Sequence, residues 1–178
     1  MSKVRASRAM TPAFLKEREA AREFIRYKRS NKRSKGERFW YRYVSSKVQM
    51  SRLDGLLINE DTGGHHLIAG IEIKWRRFCW DTLVSIHKGE MLMPADKLLA
   101  GQAFAYAFGV PTLLLYLLDD CLVVQKVVGD KGDKLNVTRE VYEESNRTIE
   151  GGTTRRKNSY ITIAGCEKIP IERSPLEL

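Results

Sequence analysis

At 178 residues, 43% hydrophobic and 30% charged, the chain has the length and balance of one soluble globular domain with a real core. No apolar run approaches the roughly 20 residues of a membrane helix, and Met1-Ser2-Lys3-Val4-Arg5 leads into no apolar stretch of a secretory kind. The net charge of +9 is uneven: residues 1–50 hold 15 Lys/Arg against 4 Asp/Glu, the rest 16 against 18, so the basic excess that suits a polyanion is N-terminal.

Residues 1–10 read as a loose arm. Thr11-Pro12 is a helix start, an N-cap with proline in the first turn, and Phe14, Ala21, Phe24 and Ile25 trace a narrow apolar stripe on the charged helix that follows. A basic stretch over 30–35 ends it. Ser34-Lys35-Gly36-Glu37 has the capping-box pattern and predicts a second helix with Trp40, Val44 and Val48 below Glu37. Strands are predicted over 49–59 and 65–75, joined by the turn-rich Glu60-Asp61-Thr62-Gly63-Gly64. Residues 76–93 fit either a loop or a short helix over 82–87. A helix over 94–108 stops at Gly109 and Pro111, because glycine accepts the left-handed cap and proline cannot extend the ladder. A second hairpin joins 112–118 to 121–128 around Asp119-Asp120. Beyond Asp130 the reading is a strand over 135–142, a break at Gly151-Gly152 and a strand over 160–164.

This order predicts an α/β sandwich with a mixed sheet, in which helix 94–108 crosses over so that strands 65–75 and 112–118 run parallel. The basic arm and first helix take residues 1–33, and a single domain takes 34–178. Cys79, Cys121 and Cys166 are odd in number and lack C-x-x-C spacing. That argues against a disulfide framework and a zinc or iron–sulfur centre, and for a reducing, cytoplasmic setting. His65 and His66 beside the glycine turn and the isolated His87 read as exposed.

In an extended strand, side chains two apart share a face, so Glu72 and Lys74 point one way and Ile71, Ile73 and Trp75 the other. An E-x-K tripeptide is common by chance, and alone it reads as a salt-bridged solvent face. Here the apolar frame and the crossover that follows place the strand centrally, where a charged pair needs a partner. Asp54, within Leu53–Ile58 and beside Gly55, offers a second carboxylate. Converging carboxylates repel unless a cation joins them, and hard oxygen ligands favour Mg²⁺ or Mn²⁺. Gln102 and Tyr106, four apart, share a helix face; alone they read as a core-edge tyrosine with a hydrogen-bonding neighbour.

Taken together, Asp54-Gly55, Glu72-Ile73-Lys74 and Gln102-Ala103-Phe104-Ala105-Tyr106 resemble the PD-(D/E)XK nuclease superfamily over about residues 35–125, in its RecB-like and phage-exonuclease branch with the Q-x-x-x-Y motif. The resemblance implies a restriction-endonuclease-like core, a mixed central sheet flanked by helices. It also implies Mg²⁺ (or Mn²⁺) as cofactor and DNA as partner, with no membrane and with self-association left open. By that resemblance Asp54, Glu72 and the Ile73 carbonyl would hold the metal, Lys74 would assist the attacking water, and Gln102 and Tyr106 would contact phosphate or water. Leu53 stands where many members carry proline. Glu37 best fits the upstream helical glutamate, though it equally fits a capping box; Glu19 and Glu23 are the other choices. DNA contacts are expected from Lys28, Arg29, Lys32 and Arg33, from Arg76 and Arg77 after the E-x-K strand, and from Arg155 and Arg156 in a mobile basic loop with Lys157. The expected activity is metal-dependent DNA endonuclease. The alternatives are an exonuclease of the phage recombination type and a non-catalytic nucleic-acid-binding protein on the same fold.

Overall fold

The computed structural model describes residues 12–30, 38–43, 53–61, 63–146 and 153–171. In chain order they form α1 (Pro12–Ser30), β1 (Arg38–Tyr43), β2 (Gly55–Asp61), β3 (Gly64–Trp75), α2 (Trp80–Ser85), β4 (Glu90–Pro94), α3 (Ala95–Phe108), β5 (Thr112–Leu117), β6 (Cys121–Val128), β7 (Val137–Asn146), β8 (Thr153–Thr162) and β9 (Glu167–Pro170). Strands β1-β2-β3-β5-β6-β9 make a six-stranded central sheet, and β4-β8-β7 make a three-stranded second one. The fold is α/β with a mixed central sheet: β3 and β5 are parallel, and the other neighbours antiparallel. No helix among the described residues is long and apolar enough to cross a membrane.

The second hairpin, the helix before it and the parallel crossover form where local signals put them; the first hairpin forms too, but its leading strand begins at Gly55, and residues 49–52 lie outside the described residues. Gly109 takes the left-handed cap at φ 65°, its N–H donating to the Ala105 carbonyl, a conformation a β-carbon would strain. Three expectations need correction. First, the helix predicted from Glu37 onward is, over the described residues, the strand β1. Phe39 alternates inward against exposed Arg38 and Trp40, and this period of two, with aromatic β-propensity, outweighs the capping-box pattern; Trp40 Nε1 donates to Glu60 across the ladder at 2.8 Å. Glu37, Val44 and Val48 lie outside the described residues, as do Lys32 and Arg33. Second, Arg155, Arg156 and Lys157 belong to no loop. They lie in β8, where Arg155 stands opposite Glu144 and Arg156 opposite Glu143, and opposite charges across a ladder stabilise it. Third, Asp54 precedes its strand rather than sitting inside it.

The alternation of β3 divides the interior. Its Ala69, Ile71 and Ile73 join Leu115 and Leu117 of β5 in a cluster on the back of the sheet, closed by Ala20, Ala21 and Phe24 of α1. Leu114 and Tyr116 of β5 face the front, where Leu98 and Ala105 of α3, Leu83 of α2 and Ile161 of β8 cover them. Close docking of α3 depends on Gly70: a β-carbon there would lie 2.6 Å from Leu53 and 2.9 Å from the Phe104 ring.

Candidate active site

Glu72 lies on the front of β3, flanked by β2 and β5, and is fully buried. Such a carboxylate is costly unless charge and hydrogen bonds meet it. Asp54 is latched beside it: its N–H donates to the Ile71 carbonyl at 2.9 Å, and its Oδ2 accepts from Ile73 N–H at 2.8 Å. Gly55 makes room for this entry, since a β-carbon would stand 2.3 Å from the Tyr41 ring. Lys74 Nζ lies 2.5 Å from Glu72 Oε1, as the shared face predicts.

A fourth group completes the cluster. Lys97, third residue of α3, places Nζ 3.0 Å from Glu72 Oε2 and 3.5 Å from Asp54 Oδ1. Glu72 Oε2 has no aligned hydrogen-bond donor, only that ammonium. Burial chiefly pushes the Glu72 carboxyl up to about 7; Asp54 adds to the rise, while Lys74 and Lys97 oppose it. For Lys97, burial alone would lower the ammonium, but Glu72 and then Asp54 outweigh it, and the net shift is upward.

Sequence reasoning missed Lys97, and a signal existed. The β3–α3–β5 crossover turns α3 antiparallel to the strands and sets its first turn over the end of β3. A lysine in a first turn opposes the helix dipole, so it needs carboxylates nearby.

Asp54 and Glu72 are the residues that could hold a divalent cation. One oxygen from each carboxylate already converges on a positive charge, and Mg²⁺ characteristically takes one or two carboxylates and keeps several waters. Among the described residues no three His, Cys, Asp or Glu side chains come together as a metal-binding group, so this is no side-chain cage.

The other expected residues are dispersed. Gln102 and Tyr106 share a face of α3, but Gln102 Nε2 donates to the Gly132 carbonyl at 2.8 Å rather than to the carboxylates, and Tyr106 is 83% exposed. Glu19 and Glu23 lie on α1, behind the sheet, paired with Lys16 and Arg26. Arg76 continues the front row of β3, its guanidinium 5.6 Å from the Tyr116 ring centre; Arg77 is exposed and lies over Trp75. On α1, Lys28 covers Phe24, and Arg29 donates to the Phe39 carbonyl at 2.9 Å. Arg155 lies over Tyr142.

One basic feature was underestimated. Arg18, Arg22, Arg26 and Arg29 follow one face of α1 and, with Ile25 and Tyr41, line a groove of about 600 Å³ at the β1 edge. Their spacing of four, four and three was readable as a helical stripe. Compared with protein families, with curated proteins and with solved structures, the chain finds no match.

Proposed function

We propose that this chain is a Mg²⁺-dependent DNA nuclease on a restriction-endonuclease-like core, cutting as an endonuclease. The observation that carries the reading is the convergence of Asp54 and Glu72, from two neighbouring segments, on one cation position at the end of a central strand, with Lys74 beside it. A buried glutamate in mid-sheet contributes nothing to packing that leucine would not, which favours a chemical role for it.

Asp54, Glu72 and the Ile73 carbonyl would hold the ion. When bound, Mg²⁺ supplies Lewis acidity toward the phosphoryl oxygens and the attacking water. The Asp54 carboxylate is oriented in advance by the Ile73 N–H, so the donors need little rearrangement. Lys74 keeps its ammonium at the mouth of the site, where it orients water and adds positive charge as the phosphoryl group gains negative charge. Lys97 holds the two carboxylates together before an ion arrives, then can turn to phosphate oxygen. The arginine groove on α1 would grip the strand backbone without reading sequence.

A second reading has one observation in its favour. Two carboxylates and two ammoniums balance in charge, which suits a purely structural cluster in a non-catalytic nucleic-acid-binding protein. One assay separates the readings: purified protein with Mg²⁺ or Mn²⁺ on covalently closed circular, linear and single-stranded DNA. Nicking or linearisation of the circle, stopped by EDTA, is expected; degradation of linear DNA alone would indicate an exonuclease. Full activity in Glu72→Ala, with contaminating nuclease excluded, overturns the assignment.

A further inference from the structure

Beyond Lys74, the front row of β3 continues to Arg76 and opens into a cleft of about 430 Å³ between the α2–β4 turn, β4, β5, β7 and β8. Tyr116, directly opposite Lys74 in the β3–β5 ladder, forms part of its wall, so the cleft and the ion cluster share a boundary.

Its lining selects a ligand chemistry. Two flat pairs are present: Phe78 stacks on exposed His87, ring centres 4.7 Å apart and planes 26° from parallel, and the Arg139 guanidinium covers the Tyr160 ring at 3.7 Å. Flat aromatic and guanidinium surfaces are what unstacked bases lie against. Two cations accompany them. Arg76 sits over Tyr116, and Lys88 is held at the α2–β4 turn with φ 53°. Glu90, the one acidic residue of the lining, is engaged by Arg139 at 3.0 Å and by the Thr138 hydroxyl at 2.6 Å, and against it stand Arg76, Lys88 and Arg139, so the lining keeps a net positive charge. The volume falls at the lower end of small-ligand clefts, roughly 300–1,000 Å³. Paired bases, stacked inside a duplex, could not reach these surfaces.

We propose that this cleft binds one unpaired nucleotide of a DNA strand, its base against the Phe78–His87 and Arg139–Tyr160 surfaces and its phosphate on Arg76 and Lys88. Resting on the nuclease reading of the Glu72 cluster, it follows that the next phosphodiester along the strand is delivered to Lys74. The preferred substrate is then single-stranded or frayed DNA.

The test uses a trinucleotide carrying central 2-aminopurine, titrated into the full chain without divalent metal. Stacking quenches the fluorophore, so quenching with saturable binding is expected. His87→Ala should weaken binding roughly ten-fold, and Lys88→Ala should flatten log K against log salt by about 0.7, the loss of one single-strand phosphate contact. Both residues are exposed, so folding is not at stake. Absence of quenching in the unaltered protein, or quenching indifferent to both substitutions, overturns the proposal. So does a 2-aminopurine mononucleotide that binds as tightly as the trinucleotide, or fully paired duplex that competes equally well. Quenching that follows the substitutions while Mg²⁺ supports no cleavage leaves the cleft standing and removes the nuclease reading. Cleavage of single-stranded DNA with KM unmoved by either substitution does the reverse.

Discussion

On the back of the central sheet, Ile71 and Ile73 meet Ala20, Ala21 and Phe24, and the contact is apolar throughout. On the front, Glu72 of the same strand is as buried as Ile71 but faces Asp54, Lys74 and Lys97. One strand thus serves two environments, and neighbouring positions obey opposite rules. The back stabilises through area removed from water. The Glu72 cluster on the front is an expense that the fold tolerates because its charges are paired, beside the apolar cluster of Leu98, Leu114 and Ile161. The lesson is a separation of labour: substitutions behind the sheet should act on stability, those at the Glu72 cluster on the proposed chemistry and ion binding.

The largest effect should come from exchanging the faces as targets. Glu72→Ala or Asp54→Ala is expected to lower the cleavage rate at least 100-fold, by analogy with loss of a preorganised electrostatic group, while the protein stays folded. Phe24→Ala should cost about 3–5 kcal/mol in denaturant unfolding and leave cleavage by the folded fraction near normal. A rate lost in Phe24→Ala under conditions where it is folded would break the comparison.

Next in size is a pH effect confined to the front. The Glu72 carboxyl is raised from 4.5 to about 7 in the folded chain, so between those values the folded state binds more protons than the unfolded one. Its contribution to stability is therefore fully present below about 4.5 and is lost as pH rises through 7. Glu72→Gln cannot ionise, and in metal-free buffer its stability relative to the parent should climb from pH 5 to pH 8, by about 3 kcal/mol at most. Mg²⁺ should raise the melting midpoint of the parent at pH 8 but not that of Glu72→Gln. Parallel stability–pH curves for the two proteins would show that the cluster is already neutral by other means.

A smaller effect should separate grip from chemistry. Arg22→Gln, Arg26→Gln and Arg29→Gln combined should weaken binding to any duplex sequence alike. The slope of log K against log salt should flatten by roughly 0.9 per lost phosphate contact, with cleavage at saturating enzyme preserved. An unchanged slope would move the grip to the front, around Arg76. Smallest of all should be Gln102→Ala. Its amide holds the Gly132 carbonyl, so a modest loss of stability, about 1 kcal/mol, is expected with little change in single-turnover rate. A large rate loss without destabilisation would return Gln102 to the chemistry.

What the sequence disclosed was what neighbours in the chain decide. The Glu72/Lys74 alternation, the Gly109 stop and the parallel crossover each rest on a period of two or on local backbone chemistry, and each is present. Lys97 was overlooked because no spacing links it to Asp54 and its one local signal, a lysine in a helix's first turn, does not name its partners; only the docking of α3 brings them together. β1 was misread because a capping-box pattern and alternating aromatics overlap, and pairing with β2 decided between them. The Arg155–Arg156 stretch looked like a loop because its partners, Glu144 and Glu143, are visible only once the strands pair.

The ends of both sheets carry a consequence for self-association. An open sheet edge is a template for another strand, and short strands, proline and charge along it blunt that tendency. The central sheet ends on one side in β9, four residues closing at Pro170, and on the other in β1, which carries Arg38 and Arg42. The second sheet ends in β4, closing at Pro94, and in β7, studded with Arg139, Glu140, Glu143 and Glu144. Among the described residues these borders thus resist growth by strand addition, which disfavours fibrillar stacking.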